Sequence, residues 1–164
     1  MIFILDFGFR FAASFLRADQ AAELMKNIKK GDFTAAHAAQ LITLQASDDL
    51  HGLSSEFQGL AYQAVIGGAK HGDMGTEVVE LLGDAEFQGR SEDTQRAVLS
   101  QVKNYPSPKA ADALRRMCAA DWFKTMDLAD QQRAAKVIGY TIEFSLIATG
   151  EQTVSIDGSN FTFN

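Results

Sequence analysis

Two periods of apolar residues alternate along this chain. From Phe3 to Phe11 every second residue is large and apolar (Phe3, Leu5, Phe7, Phe9, Phe11), with Ile2, Ile4, Asp6, Gly8 and Arg10 between them. Period two predicts a strand over about 2–11 with one face in need of cover. The spacing then becomes helical, with Ala21, Leu24, Met25 and Ile28 on one stripe, Asp19 as a cap and Gly31 as a stop. Thr34 opens a second helical stretch in which Ala38, Leu41 and Ile42 continue the stripe. Thr76 opens a third, with Val78, Val79 and Leu82 inward. Ser107-Pro108 is a strong start, a capping hydroxyl followed by proline at the first helical position. That helix sets Ala110, Ala111, Leu114, Met117 and Cys118 against Lys109, Asp112, Arg115 and Arg116 on the opposite face. Trp122 and Phe123 cover the junction that follows.

One phrase recurs. "FQGRSEDTQRAVLSQV", from Phe87, returns as "FKTMDLADQQRAAKVI", from Phe123. Ser91 and Asp127 are the caps, and Gln95 and Gln131 follow at the same offset. An earlier copy, "GLSSEFQGLAYQAVIGG", precedes the second by thirty-seven positions, with Ser54 or Ser55 as cap and Gly67-Gly68 as stop. There Ser55 and Gln58 fit a capping box. Helix starts at near-equal spacing are the mark of helical-pair repeats, here over about 54–139.

After Gly139 the period changes again. Tyr140, Ile142, Phe144 and Leu146 alternate with polar residues and predict a strand, with a helix running on from Val137 as the alternative. The tail "TVSIDGSNFTFN" reads as a hairpin, and a four-residue loop would set Ile156 opposite Phe161 and Val154 opposite Phe163. The expected fold is α+β, predominantly α. It consists of stacked helical hairpins with a small antiparallel sheet formed by the N-terminal strand and the C-terminal hairpin (terminal strands about 2–11 and 140–163).

At 164 residues the chain is the usual size of a single domain, 1–164. Its net charge of −6 argues against nucleic acid, which requires a concentrated basic surface. The Lys26, Lys29 and Lys30 cluster complements a helix C-terminus instead. No segment has the ~18 consecutive apolar residues of a membrane span. The opening "MIFILDFGFRF" lacks a basic n-region and a cleavage site, so the chain as written reads as cytoplasmic, with secretion open only by a route independent of a signal peptide. A lone cysteine, Cys118, forms no intrachain disulfide. Its place on an apolar face marks it as a buried thiol rather than a nucleophile.

Candidate chemistry is sparse. HExxH, GxSxG, CxxC, Walker and GxGxxG motifs are missing from the sequence. His37 lies in an alanine-rich helix. His51 and His71 sit in loops and could pair with Asp48, Asp49 or Asp73 as metal ligands, although no pair has the i, i+4 spacing of a helical site. Those aspartates also serve as caps and turn formers. "IGGAKHGDMGTE" has the glycines of a phosphate loop but follows a helix and lacks the Lys-Ser/Thr pair, so it reads as a helix–helix connection.

The segment 87–138, with its F-x-x-x-[SD]-x-x-x-Q pattern, resembles helical regions of bacterial secreted effectors and polymorphic toxins. The resemblance implies a helical module that elsewhere precedes a catalytic domain, sometimes one like a zinc peptidase; no HExxH follows here. The expected function is therefore a non-enzymatic module that binds another protein, as part of or partner to such an effector, with no cofactor. The competing expectation is a hydrolase-type effector using His51, His71 and neighbouring acids such as Asp73. The two are separated by whether those groups converge in one pocket.

Overall fold

The computed structural model describes residues 35–143 and 151–164. The expected strand at 2–11, the helix from Asp19 to Gly31, the Thr34 cap and residues 144–147 lie outside the described residues. The fold is α+β and mostly helical. In chain order it runs α1 (Ala35–Gln45), α2 (Asp48–His51), α3 (Ser55–Gly68), a 3-10 turn (Ala69–His71), α4 (Met74–Gly83), α5 (Ala85–Gln88), α6 (Glu92–Asn104), α7 (Pro108–Cys118), α8 (Asp121–Thr125) and α9 (Leu128–Glu143). A hairpin of β1 (Gln152–Ile156) and β2 (Ser159–Phe163) follows.

The longer helices pack in two rows. In one, α3 lies against α6 and α6 against α9; in the other, α1 lies against α4 and α4 against α7. Contacts of α1 with α3 and of α7 with α9 join the rows. Helix α7 shows why. Its capping Ser107 accepts a hydrogen bond from the Ala110 amide at 3.2 Å, with Pro108 at the first turn. Its apolar stripe of Ala110, Ala111, Leu114, Met117 and Cys118 is buried, joined by Ala113. The small residues Ala110, Ala111 and Ala113 let neighbouring backbones approach closely. The same logic acts between α1 and α4: a Cβ at Gly75 would sit 2.9 Å from the Gln40 carbonyl oxygen. The Gln40 side chain exploits that approach, accepting from the Gly75 amide at 3.0 Å and donating to the Gly72 carbonyl at 3.0 Å.

Several boundaries differ from the sequence expectation. Helix α3 ends at Gly68 as expected, although Gly67 and Gly68 are themselves helical and the chain leaves through the 3-10 turn to Gly72, whose φ of 140° only glycine adopts readily. Asp73, not Thr76, caps α4, accepting from the Thr76 amide at 3.1 Å. Ser54 caps α3 by accepting from the Phe57 amide at 3.3 Å, while Gln58 donates to the Leu53 carbonyl at 2.9 Å, so the Ser55–Gln58 capping box does not form. Tyr140 to Glu143 continue α9 rather than forming a strand. Gly139 provides the reason: it seats α9 against Tyr105 and Gln101 of α6, with a virtual Cβ 3.1 Å from the Tyr105 ring. Tyr140 stacks edge-on with Tyr105 at 5.9 Å.

The hairpin exists, but in another register. Asp157 and Gly158 alone form the turn, with φ of 51° and 80°, the paired positive values of a type I′ turn. Val154 therefore faces Phe161, Gln152 faces Phe163 and Ile156 faces Ser159. One face buries Val154, Ile156 and Phe163. The other is polar, with Thr153 paired to Thr162 and Ser155 to Asn160. β1 rests on α9, and the Trp122 indole donates to the Thr162 carbonyl at 2.8 Å.

Candidate functional site

The two histidines singled out for chemistry have different surroundings. His51 ends α2, and its Nε2–H donates to the Gln45 carbonyl at 2.7 Å, because a carbonyl can only accept. That bond occupies one of the two ring nitrogens. His71 ends the 3-10 turn, exposed, and lines a cavity of about 400 Å³ with Ser107, Pro108 and Lys109. His51 does not line that cavity. Asp73 spends both carboxylate oxygens on Thr76, taking the amide at 3.1 Å and the hydroxyl at 2.7 Å. The Ser107 hydroxyl beside His71 is the cap of α7. Among the described residues, no group of three or more His, Cys, Asp and Glu side chains is placed to hold a metal ion.

Cys118 is fully buried at the end of α7. Burial pushes its thiol up to about 12, with Asp84 and Glu86 adding and Arg90 opposing. Such a group is protonated and unreactive at neutral pH. Tyr62 is comparable: its hydroxyl donates to Gln45 Oε1, and burial pushes the phenol up to about 12. Its bond to Gln45 joins α3 to α1, and His51 adds α2. His37 is buried in α1 and engaged with neighbours.

The recurring phrase is where the described residues concentrate their specific geometry. Leu50, Phe87 and Phe123 stand at equivalent places in the short helices α2, α5 and α8, spaced by 37 and 36 positions, and all three are buried. Ser54, Ser91 and Asp127 follow as caps: Ser91 accepts from the Thr94 amide at 3.2 Å and Asp127 from the Asp130 amide at 2.8 Å. Gln58, Gln95 and Gln131 then turn back on the preceding loop. Gln58 donates to the Leu53 carbonyl at 2.9 Å and Gln95 to the equivalent Arg90 carbonyl at 3.0 Å. Gln131 reaches the Phe123 carbonyl at 3.0 Å and accepts the Thr94 hydroxyl at 2.6 Å. Each junction thus closes on an apolar anchor, a cap and an amide clamp. The residues behind the effector resemblance belong to these junctions. Alternation between helix and coil hid the short helices α2, α5 and α8, since four or five residues are too few for a period to declare itself.

Charged groups pair across neighbouring helices near these junctions. Arg96 of α6 meets Glu56 of α3 at 2.8 Å and Asp93 at 2.6 Å, and lies over the Phe57 ring at 5.4 Å. Its guanidinium is held protonated beyond its ordinary range, chiefly by the hydrogen bond to Glu56. Lys124 of α8 meets Glu86 of α5 at 3.0 Å. Between α2 and α5 a groove of about 300 Å³ opens, lined by Asp48, Asp49, Leu53, Leu82, Phe87 and Gln88 among others. A further cavity, of about 380 Å³, lies where Arg116 and Trp122 meet Phe163 and Asn164 of the hairpin end.

No family model, curated protein or solved structure matches the chain. Among the described residues no helix is long and apolar enough to cross a membrane.

Proposed function

We propose that this chain is a non-enzymatic helical-repeat module that works by binding another protein. The observation carrying this reading is the recurrence of anchor, cap and glutamine clamp at Leu50/Ser54/Gln58, Phe87/Ser91/Gln95 and Phe123/Asp127/Gln131. On this reading α1–α3, α4–α6 and α7–α9 are three copies of one unit, stacked so that equivalent helices lie side by side. Stacked units of this kind present extended surfaces to partners, because each added unit lengthens the same face. The different surroundings of His51, which donates to the Gln45 carbonyl, and His71, which lines a cavity with Ser107, Pro108 and Lys109, favour binding over hydrolysis, since catalytic groups must converge on one substrate.

The reading is tested by replacing His51 and His71 together with alanine and measuring metal content, hydrolytic activity and partner capture. Partner capture is expected to be unchanged. Stoichiometric zinc in the parent protein, lost in the double variant together with an activity, would overturn it.

A further inference from the structure

Two successive junctions of the fold use the same pair of positions for a contact across neighbouring units. Glu86 of α5 and Lys124 of α8 form an ion pair at 3.0 Å. The positions equivalent to these, one unit earlier, are Asp49 of α2 and Gln88 of α5, and they also touch: Gln88 Nε2 donates to Asp49 Oδ1 at 3.3 Å. The geometry is shared and the charge balance is not. At the second junction a lysine of the chain neutralises the acid. At the first, a neutral amide stands in the lysine's place, and neither Asp49 nor the adjacent Asp48 takes part in an ion pair among the described residues.

A groove of about 300 Å³ opens at the first junction. The half-buried Leu53 packs on the core beside it, and the buried Leu82 and Phe87 contribute to its lining. Asp49 is positioned rather than loose. Gln88 holds one carboxylate oxygen, and the other lies 3.0 Å from where a Cβ on Gly83 would stand, so the absence of a side chain there admits the carboxylate. The second lining carboxylate, Asp48, is exposed.

We infer that the groove between α2 and α5 receives a lysine or arginine side chain of a partner polypeptide. Its aliphatic stem lies on the half-buried Leu53, and its charged head meets Asp48 and Asp49. Long basic side chains bury their stems while keeping the head at a polar rim, which is the shape and polarity of this groove. The ion pair from Lys124 to Glu86 is the chain's own example of the same contact made in cis. This inference rests on the reading of the chain as a protein-binding module and names the chemistry of one contact.

The test is an amide NMR titration of the full chain with the capped peptide acetyl-Ala-Leu-Lys-Leu-Ala-amide and with the same peptide carrying Nε-acetyl-lysine. The lysine peptide is expected to shift the amides of Asp48 to Leu53 and of Gln88 and Gly89. The acetylated peptide, which keeps the stem and loses the charge, is expected to leave them in place. Asp49→Asn should weaken binding by about fivefold, the upper range for a solvated ion pair. Gln88→Lys, which supplies the cation in cis as Lys124 does, should abolish binding while preserving the dispersed spectrum of a folded chain. Glu86→Gln, at the other junction, should change neither affinity nor the pattern of shifts. Equal shifts from both peptides, undiminished binding by Gln88→Lys, or no shift at these amides would overturn the inference. Shifts confined instead to the exposed side of α3, α6 and α9 would overturn the groove and leave the binding-module reading standing.

Discussion

Cys118 and Glu77 show opposite consequences of enclosing a titratable side chain. The Cys118 thiol is neutral when protonated, so burial beside Leu114 and Met117 costs it nothing and pushes its ionisation up to about 12. A thiol reagent is therefore expected to label it slowly in the folded protein and rapidly after denaturation; fast native labelling would contradict the enclosed thiol. Glu77, by contrast, is an acid with one buried carboxylate oxygen that lacks a hydrogen-bond partner, so enclosure disfavours its charged form. Its pKa is raised first by burial, then by Glu80 and Asp112, with Asp73 adding and Arg115 of α7 opposing. Because the folded state takes up this proton before the unfolded state does, acidification stabilises the fold as pH falls through the raised value. The gain is complete below the ordinary value of 4.5. Glu77→Gln is thus expected to be more stable than the parent at neutral pH, with the difference shrinking as pH falls. Urea midpoints for both proteins across that range check it. A constant difference would assign Glu77's effect to packing.

At the scale of elements, the starts of α6 and α9 depend on short-range bonds. Ser91→Ala and Asp127→Ala should each destabilise by about 0.5–2 kcal/mol, the usual cost of a lost N-cap. The urea midpoint measures it, and an unmoved midpoint in both variants would remove the caps from the energetics. Gln131 carries more, because its two bonds are buried and one of them crosses from α9 to α6. Gln131→Leu keeps the volume and leaves the Phe123 carbonyl without its donor and the Thr94 hydroxyl without its acceptor. The expected loss is about 1–3 kcal/mol for a buried group left unsatisfied. The double variant with Thr94→Val should recover part of it, since removing both partners costs less than orphaning one. A double-mutant cycle reads this coupling directly.

Across the whole molecule, the hairpin closes one end of the helical rows. Val154, Ile156 and Phe163 are buried, Trp122 stacks on Phe161 at 4.9 Å, and Arg133 of α9 pairs with Asp157 at the turn. A two-stranded hairpin is marginal by itself in water, so these contacts hold it and it in turn covers the last helices. Fully burying each large apolar side chain contributes roughly 1.5–3 kcal/mol. Deleting residues 152–164 should accordingly lower the unfolding midpoint strongly or cause aggregation. A monomeric truncated protein with an unmoved midpoint would make the hairpin a dispensable appendage. Trp122→Ala isolates the same contact with less disruption and should shift the midpoint in the same direction.

Ser91, Ser107 and Asp127 were legible as caps because a capping bond spans three residues and depends on little else. The apolar stripe of α7 was legible for a related reason: burial follows the helical period, and Leu114, Met117 and Cys118 share its inward face. The 36- to 37-residue recurrence could likewise be read from the chain, since the same local closure is spelled with similar residues each time. Tyr140 to Glu143 could not, because so apolar a run satisfies either period, and the seat of Gly139 on α6 decided for helix. The hairpin's existence was written in its alternation. Its register waited on whether two residues or four would turn, and positive φ at Asp157 and Gly158 made it two. The placing of His71 beside Ser107 and Pro108, and the meeting of Asp49 with Gln88, depend on contacts between elements far apart in sequence. Local sequence determined where this chain caps and turns; packing between elements far apart in sequence decided which side chains meet, because those distances are set only when the core closes.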